Sequence, residues 1–294
     1  MPIRDVLLAI LVVAIWGFNF VVIKVGVAEV PPLLLTGLRF LLAAFPLMLF
    51  IKRPATSWAN IIGYGISLGV LMFGLLFLGM KLGVNASMSS IIPQLQVFFT
   101  MGFAVLLLGE KPKPWQLAGA AIAFSGIAIM GIERLGGSAF LPFILLVIGA
   151  VFWGLANVIA KKAGQIDMFA FTIWTSIAPV IPLFLLSWLF EDHDAIVATF
   201  TNPTALGIGA ALFQAYPATI VGFAIWNQLL KKHPASLVAP FSLLVPIFGV
   251  FSGVLFLGET MSVPAIIGGL VIFVGLAINI FGSKFGLWKT KLVS

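Results

Sequence analysis

The chain has 294 residues, of which 62% are apolar, while 16 Lys plus Arg and 9 Asp plus Glu carry the charge at neutral pH. Soluble domains carry about 25% charged residues, against 9% here, so this sequence cannot clothe a water-facing surface and soluble enzyme classes are excluded. Without Cys there is no disulfide, thiolate chemistry or cysteine-ligated metal, and His193 and His233 are too few for a histidine-rich site; no cofactor is expected.

A bilayer-crossing helix needs about 20 mostly apolar residues, so charge-free stretches measure the spans. They run 6–23, 32–51 (interrupted by Arg39), 54–80, 82–109, 114–132, 135–160, 168–190, 195–230, 234–258 and 260–283. Ten transmembrane helices are predicted. The 195–230 stretch counts once, with Asn202-Pro203 closing a loop at its N-terminal side, and Pro31-Pro32, Pro54, Pro112, Pro114, Gly136-Gly137 and Pro234 punctuate the other connections. Arg4 before an apolar run could suggest a signal peptide. Trp16, Asn19 and Lys24, with no small-residue cleavage pattern, make it a mature first helix instead.

Alternating the loops places Arg4, Lys52, Arg53, Lys111, Lys113, Lys161, Lys162, Lys231, Lys232, Lys284, Lys289 and Lys291 on one side and Lys24, Lys81 and Arg134 on the other. The positive-inside rule makes the first side cytoplasmic. Both termini are therefore expected inside, and the basic excess reports topology and lipid headgroups, with no nucleic-acid partner.

The first and sixth spans read alike, Trp16-Gly17-Phe18-Asn19 with Lys24 against Trp153-Gly154 and Asn157 with Lys161. Leu108-Gly109-Glu110, Gly119 and Gly126 recur 149 residues later as Leu257-Gly258-Glu259, Gly268 and Gly275, and Ala86-Ser87 recurs as Ala235-Ser236. Two five-span repeats follow, 1–135 and 136–294. Five is odd, so the second is inverted, the arrangement by which carriers build two conformations around a site near mid-membrane. An all-α integral membrane transporter working by alternating access is expected, with duplication for stability as the bland alternative.

Arg39 sits inside its span, where a cation costs at least about 2.5–3.5 kcal/mol unless paired or hydrated. It is a candidate contact for a substrate carboxylate, or it bonds helix-end carbonyls. Asn19 and Asn157 need partners in hydrocarbon, and Trp16 on the same helix as Asn19 can wall a cavity or simply pack. Gln94 follows Pro93, and Tyr216 offers a ring and a hydroxyl to an amphipathic ligand. These six (Trp16, Asn19, Arg39, Gln94, Asn157 and Tyr216) are the candidate substrate-binding residues. Pro93, Pro240 and Pro246 can bend helices and free carbonyls; with Glu110 and Glu259 at helix ends they are candidates for coupling or gating. No Asp or Glu lies deep in a span, which favours a facilitator or weakly coupled exporter over a dedicated proton relay.

The Trp16–Gly26 run, the Pro31–Phe40 run with its Leu-Arg-Phe segment, and the Gly109-Glu110 and Gly258-Glu259 helix ends resemble the drug/metabolite transporter superfamily, specifically EamA-type bacterial inner-membrane exporters. The resemblance spans essentially the whole chain. It implies a basket-like bundle whose first, third, fourth, sixth, eighth and ninth helices enclose a central cavity, and export of amino acids and related metabolites such as cysteine, acetylserine or aromatic amino acids. Trp16, Asn19, Arg39, Asn157 and the Gly109-Glu110 corner match recurring family positions, whereas the seventh span lacks a counterpart of Arg39. Multidrug efflux of cationic amphiphiles is the alternative. The expected partners are a small-molecule substrate and membrane lipid, and the bundle is expected to act as a monomer.

Overall fold

The computed structural model describes residues 1–132, 139–233 and 238–282, without the side chains of Lys231, Ala239 and Pro240. Expectations placed on Arg134, Gly136-Gly137, Pro234, Ala235-Ser236, Lys284, Lys289 and Lys291, and on the side chains of Lys231 and Pro240, lie outside the described residues.

Those residues are helical, with nine runs long and apolar enough to cross a membrane: α1 (Ile3–Glu29), α2 (Pro32–Leu49), α3 (Trp58–Lys81), α4 (Ala86–Leu108), α5 (Pro114–Ile132), α6 (Phe140–Lys162), α7 (Met168–Phe190), α9 (Ala205–Leu230) and α11 (Val263–Phe281). A shorter apolar helix, α10 (Phe241–Leu257), stands where the ninth span was expected. The 195–230 stretch does count as one long helix. Its N-terminal part, read as loop, instead begins with the short helix α8 (His193–Thr201), capped by the Asp192 carboxylate accepting from Ala195 N–H at 2.9 Å.

Local chemistry fixes the helix ends. Side-chain caps at Ser57, Asn85, Asp167, Thr204 and Ser262 accept from the first turns of α3, α4, α7, α9 and α11, satisfying N–H groups that lack an intrahelical partner. At the C-termini of α4 and α10, Gly109 (φ 68°) and Gly258 (φ 62°) turn left-handed. There the N–H groups of Glu110 and Glu259 close back on Ala104 O and Gly253 O, each at 3.2 Å. That geometry explains the Gly-Glu pair: glycine tolerates the turn, and the glutamate is aimed outward from it.

Packing rests on small residues, because apolar burial gives no preference for a helix over a lipid tail. A Cβ on Gly119 would stand 2.6 Å from Gly275 O, and one on Gly126 would stand 2.6 Å from Gly268 O. The pairing runs in opposite sequence directions, so α5 and α11 lie antiparallel. Likewise a Cβ on Gly17 of α1 would stand 2.8 Å from both Gly249 N and Val245 O of α10, and one on Gly154 of α6 would stand 2.8 Å from Thr100 N of α4. Thr100 and Gly249 are again 149 residues apart. Two long helices share a further departure from α geometry: α3 is π-helical over Ile66–Phe73 and α9 over Gln214–Val221.

Gly126→Ala pushes a methyl onto backbone, which cannot move aside as a side chain would. It is expected to cost about 1–3 kcal/mol, read as a fall in the thermal unfolding midpoint of detergent-purified protein. Gly102→Ala, where a Cβ meets nothing within 4 Å, should leave that midpoint unchanged.

Candidate functional site

Arg39 projects from α2 into the bundle and is only 4% exposed. Its guanidinium lies 3.9 Å from the Phe73 ring centroid on the π-helical part of α3, and Nη2 donates to Thr219 Oγ1 of α9 at 3.4 Å. Nε and Nη1 have no hydrogen-bond partner among the described residues. No carboxylate pairs with it either: the ion pairs found among those residues involve Glu110 and Asp5, at other positions. Nearby on α9, Gln214 is fully buried with both amide atoms unpartnered, while its backbone carbonyl accepts from Thr219 Oγ1 at 2.8 Å. A ring face attracts a cation but does not occupy its in-plane N–H donors. This arrangement can therefore accept an anionic group.

Asn157 lies on α6, where its Nδ2 donates to Gln96 Oε1 at 2.5 Å and Thr100 Oγ1 at 3.0 Å on α4. It faces a cavity of about 270 Å³ lined also by Thr100, Asn279, Glu110, Lys161 and apolar Val97, Met101 and Val158. Glu110 and Lys161 form an ion pair at its mouth. The Asn279 Nδ2 is buried and unpartnered.

The remaining candidates are dispersed. The Trp16 indole N–H donates to Ala218 O of the α9 π segment at 2.8 Å, with the Phe223 and Trp226 rings each 5.3 Å away. Asn19 is buried with Oδ1 unpartnered. Gln94 is buried beside Pro93 in a 3-10 turn, whereas Tyr216 is 37% exposed. Pro246 lies in α10, and its carbonyl accepts from Ser90 Oγ at 3.4 Å. Of the sequence candidates with described side chains, Asn157 and Glu110 line the cavity, and the others are not among its walls. Thr100, Thr219, Asn279 and Lys161 were not read as site residues. Lys161 carried a usable signal, since it matches Lys24 while Glu110 matches Glu259; the threonines carried none.

The end of the bundle opposite this cavity is closed by polar contacts. Glu259 accepts from Ala86 N (2.6 Å), Ser87 N (2.9 Å) and Ser87 Oγ (2.6 Å). Glu191 accepts from Leu33 N and Leu34 N at 2.7 and 3.1 Å. Lys24 donates to Met80 O and Val84 O at 2.8 and 3.0 Å, and Lys81 to Val27 O at 2.7 Å. These contacts tie helices together at one end of the bundle, and the polar recess lies at the other.

The family model for EamA-like transporters matches residues 4–132 and 141–281. The chain belongs to the EamA-like transporter family. It is therefore a multi-pass membrane transporter. It is 38% identical to a probable amino-acid metabolite efflux pump of Salmonella typhimurium, over 99% of each chain. A pump of the same description from Escherichia coli is 36% identical over 96% of each. A solved crystal structure at 18% identity superposes with a TM-score of 0.65, covering 97% of this chain and 99% of that one; that likeness concerns the fold alone.

Arg39→Met keeps the length of the side chain and removes two unbonded donors, whose burial costs about 1–3 kcal/mol. It also loses the ring contact, worth about 0.5–2 kcal/mol. The transporter is expected to gain about 1 kcal/mol, the difference between those ranges, seen as a raised unfolding midpoint in detergent. A lowered midpoint would make the guanidinium a structural group.

Proposed function

We propose that this transporter exports amino acids and related small metabolites from the cytoplasm by alternating access, and that Arg39 receives the substrate carboxylate. The observation that carries the reading is the buried guanidinium with Nε and Nη1 unbonded and no counter-ion beside it among the described residues. A zwitterion loses much of its hydration on entering hydrocarbon, and a preplaced cation with neighbouring amides replaces part of it. A cationic drug, the competing cargo, would meet repulsion there. The relatives described as amino-acid metabolite efflux pumps support both the substrate class and the direction.

In this reading the chain is two inverted five-helix halves, 1–135 and 136–294, acting as a monomer in a bacterial inner membrane with both termini inside. Support comes from the family match falling on two stretches, 4–132 and 141–281. The reciprocal contacts Gly119 to Gly275 and Gly126 to Gly268 add to it, as do the paired π segments, 148 residues apart. The cavity at the Glu110–Lys161 end is the loading side, where Asn157 and Asn279 meet the substrate before it passes inward to Arg39, Asn19 and Gln94. Trp16 holds the α9 π segment beside that path, and Tyr216 shapes it from the same segment. Pro93, Pro240 and Pro246 give α4 and the approach to α10 their bend points.

Counterflow in proteoliposomes, with a panel of labelled amino acids and a cationic dye, tests this. Amino-acid exchange is expected in the parent and a loss of about 10- to 100-fold in Arg39→Met, the equivalent of one charge-assisted hydrogen bond or slightly more. Asn157→Ala should weaken exchange at low substrate concentration. Dye exchange without amino-acid exchange, or full rates in Arg39→Met, would defeat the proposal.

A further inference from the structure

The ion pair at the mouth of the recess joins two helix ends. Glu110 follows the left-handed Gly109 at the C-terminus of α4, and its N–H closes back on Ala104 O at 3.2 Å, so the main chain that carries it is fixed. Lys161 lies in the last turn of α6, four residues beyond Asn157 and therefore on the same face, one turn nearer the mouth. Both side chains line the cavity, yet Lys161 is 61% and Glu110 45% exposed. An exposed pair of this sort adds little to stability, because water solvates the separated charges almost as well as they solvate each other. What it does is place one anion and one cation, easily parted, at the entrance to a cavity.

The wall behind the pair is uncharged. Asn157 is bonded to Gln96 and Thr100, whereas Asn279 keeps a buried Nδ2 with no partner among the described residues. Apolar Val97, Met101 and Val158 continue the wall. The charges that line the cavity are therefore Glu110, Lys161 and Lys111.

We propose that the Glu110–Lys161 pair is a zwitterion reader: a cargo enters by exchanging the contact within the pair for two contacts of its own, α-carboxylate to Lys161 and α-ammonium to Glu110. An amino acid carries those two charges on one carbon, so the exchange trades one ion contact for two and leaves the net charge at the mouth unchanged. A cargo with a single charge satisfies one side chain and strands the other. The long flexible stem of Lys161 lets the pair part, and Asn279 Nδ2 is a donor for the second carboxylate oxygen. No proton moves in this exchange. The reader deepens the amino-acid reading above and rests on it for the cargo, so its test measures binding without transport.

The chain has no cysteine, and Met101→Cys places a single thiol in the cavity wall. Its maleimide labelling in detergent is followed at pH 6.5 with leucine, N-acetylleucine or leucinamide present; these carry both charges, the negative one and the positive one respectively. Asn202→Cys, exposed and outside the cavity, corrects for direct effects of the probes on labelling. Leucine is expected to protect at a concentration about fivefold below either derivative, the upper worth of one exposed ion contact. Glu110→Gln should lower the N-acetylleucine concentration needed by about the same factor and give leucinamide no advantage. Lys161→Gln, made together with Lys111→Gln so that no second ammonium takes over Glu110, should favour leucinamide and not N-acetylleucine. Exchanging the charges, Glu110→Lys with Lys161→Glu, should restore the preference for leucine, since a zwitterion can turn round. Equal protection by the three probes in the parent, protection by none, or charge variants that move all three alike would overturn the reader. If the charge variants move all three alike while leucine counterflow still falls in Arg39→Met, the reader fails and the export proposal stands. If protection follows the expected order while amino-acid counterflow is absent, the export proposal fails and the reader stands.

Discussion

Inside a hydrocarbon layer the protein is the only source of hydrogen-bond partners, and this constraint organises nearly everything observed. Backbones must be helical, helix ends must be capped by side chains, and helices must touch through their backbones where glycines allow it. The α5–α11 contact meets these demands chiefly with four glycines, Gly119, Gly126, Gly268 and Gly275. Some polar side chains that enter the bundle find partners there, as Asn157 does with Gln96 and Thr100. Arg39, with Nε and Nη1 unbonded, and Gln214, with both amide atoms unbonded, do not.

A binding residue that is fully satisfied by its own protein has little to offer a ligand, so an exception of this kind is what a transport site requires. In the proposed reading the cost falls on stability and is recovered when substrate arrives. The closed end follows the opposite logic. Glu259 and Glu191 satisfy backbone donors that would otherwise face lipid headgroups or water, and the lysines do the same for carbonyls. Glutamates at helix N-termini and ammonium groups on carbonyls thus make one end self-sufficient, while the recess by Asn279 retains an unfilled donor.

Most of the fold was legible in the sequence because the spans are delimited by charges and turn residues, both visible without coordinates. The Gly-Glu corners and the glycines of the fifth and tenth spans stood out, since close backbone approach leaves no alternative to a small residue. The 3-10 turn Ala239–Leu243 and the extra helix His193–Thr201 were hidden, because an uncharged stretch does not say where α geometry gives way to a 3-10 turn or a surface helix. The site was less readable. Arg39 and Asn157 announced themselves by their cost in lipid, but the threonines that bond them, Thr219 and Thr100, look like any other small polar residue.

The π-helical stretches of α3 and α9 put one more residue into a turn than an α-helix holds. Each such insertion advances everything downstream by about 100° around the helix axis. On α9 this re-aims the face that carries Trp226 toward Trp16, and Gly222 makes room for that indole. Gaining or losing a single codon in Gln214–Val221 would therefore swing the rest of the helix to a new azimuth without altering any other side chain. In such a protein, insertions and deletions inside a membrane span become a route to new specificity that point substitution cannot reach.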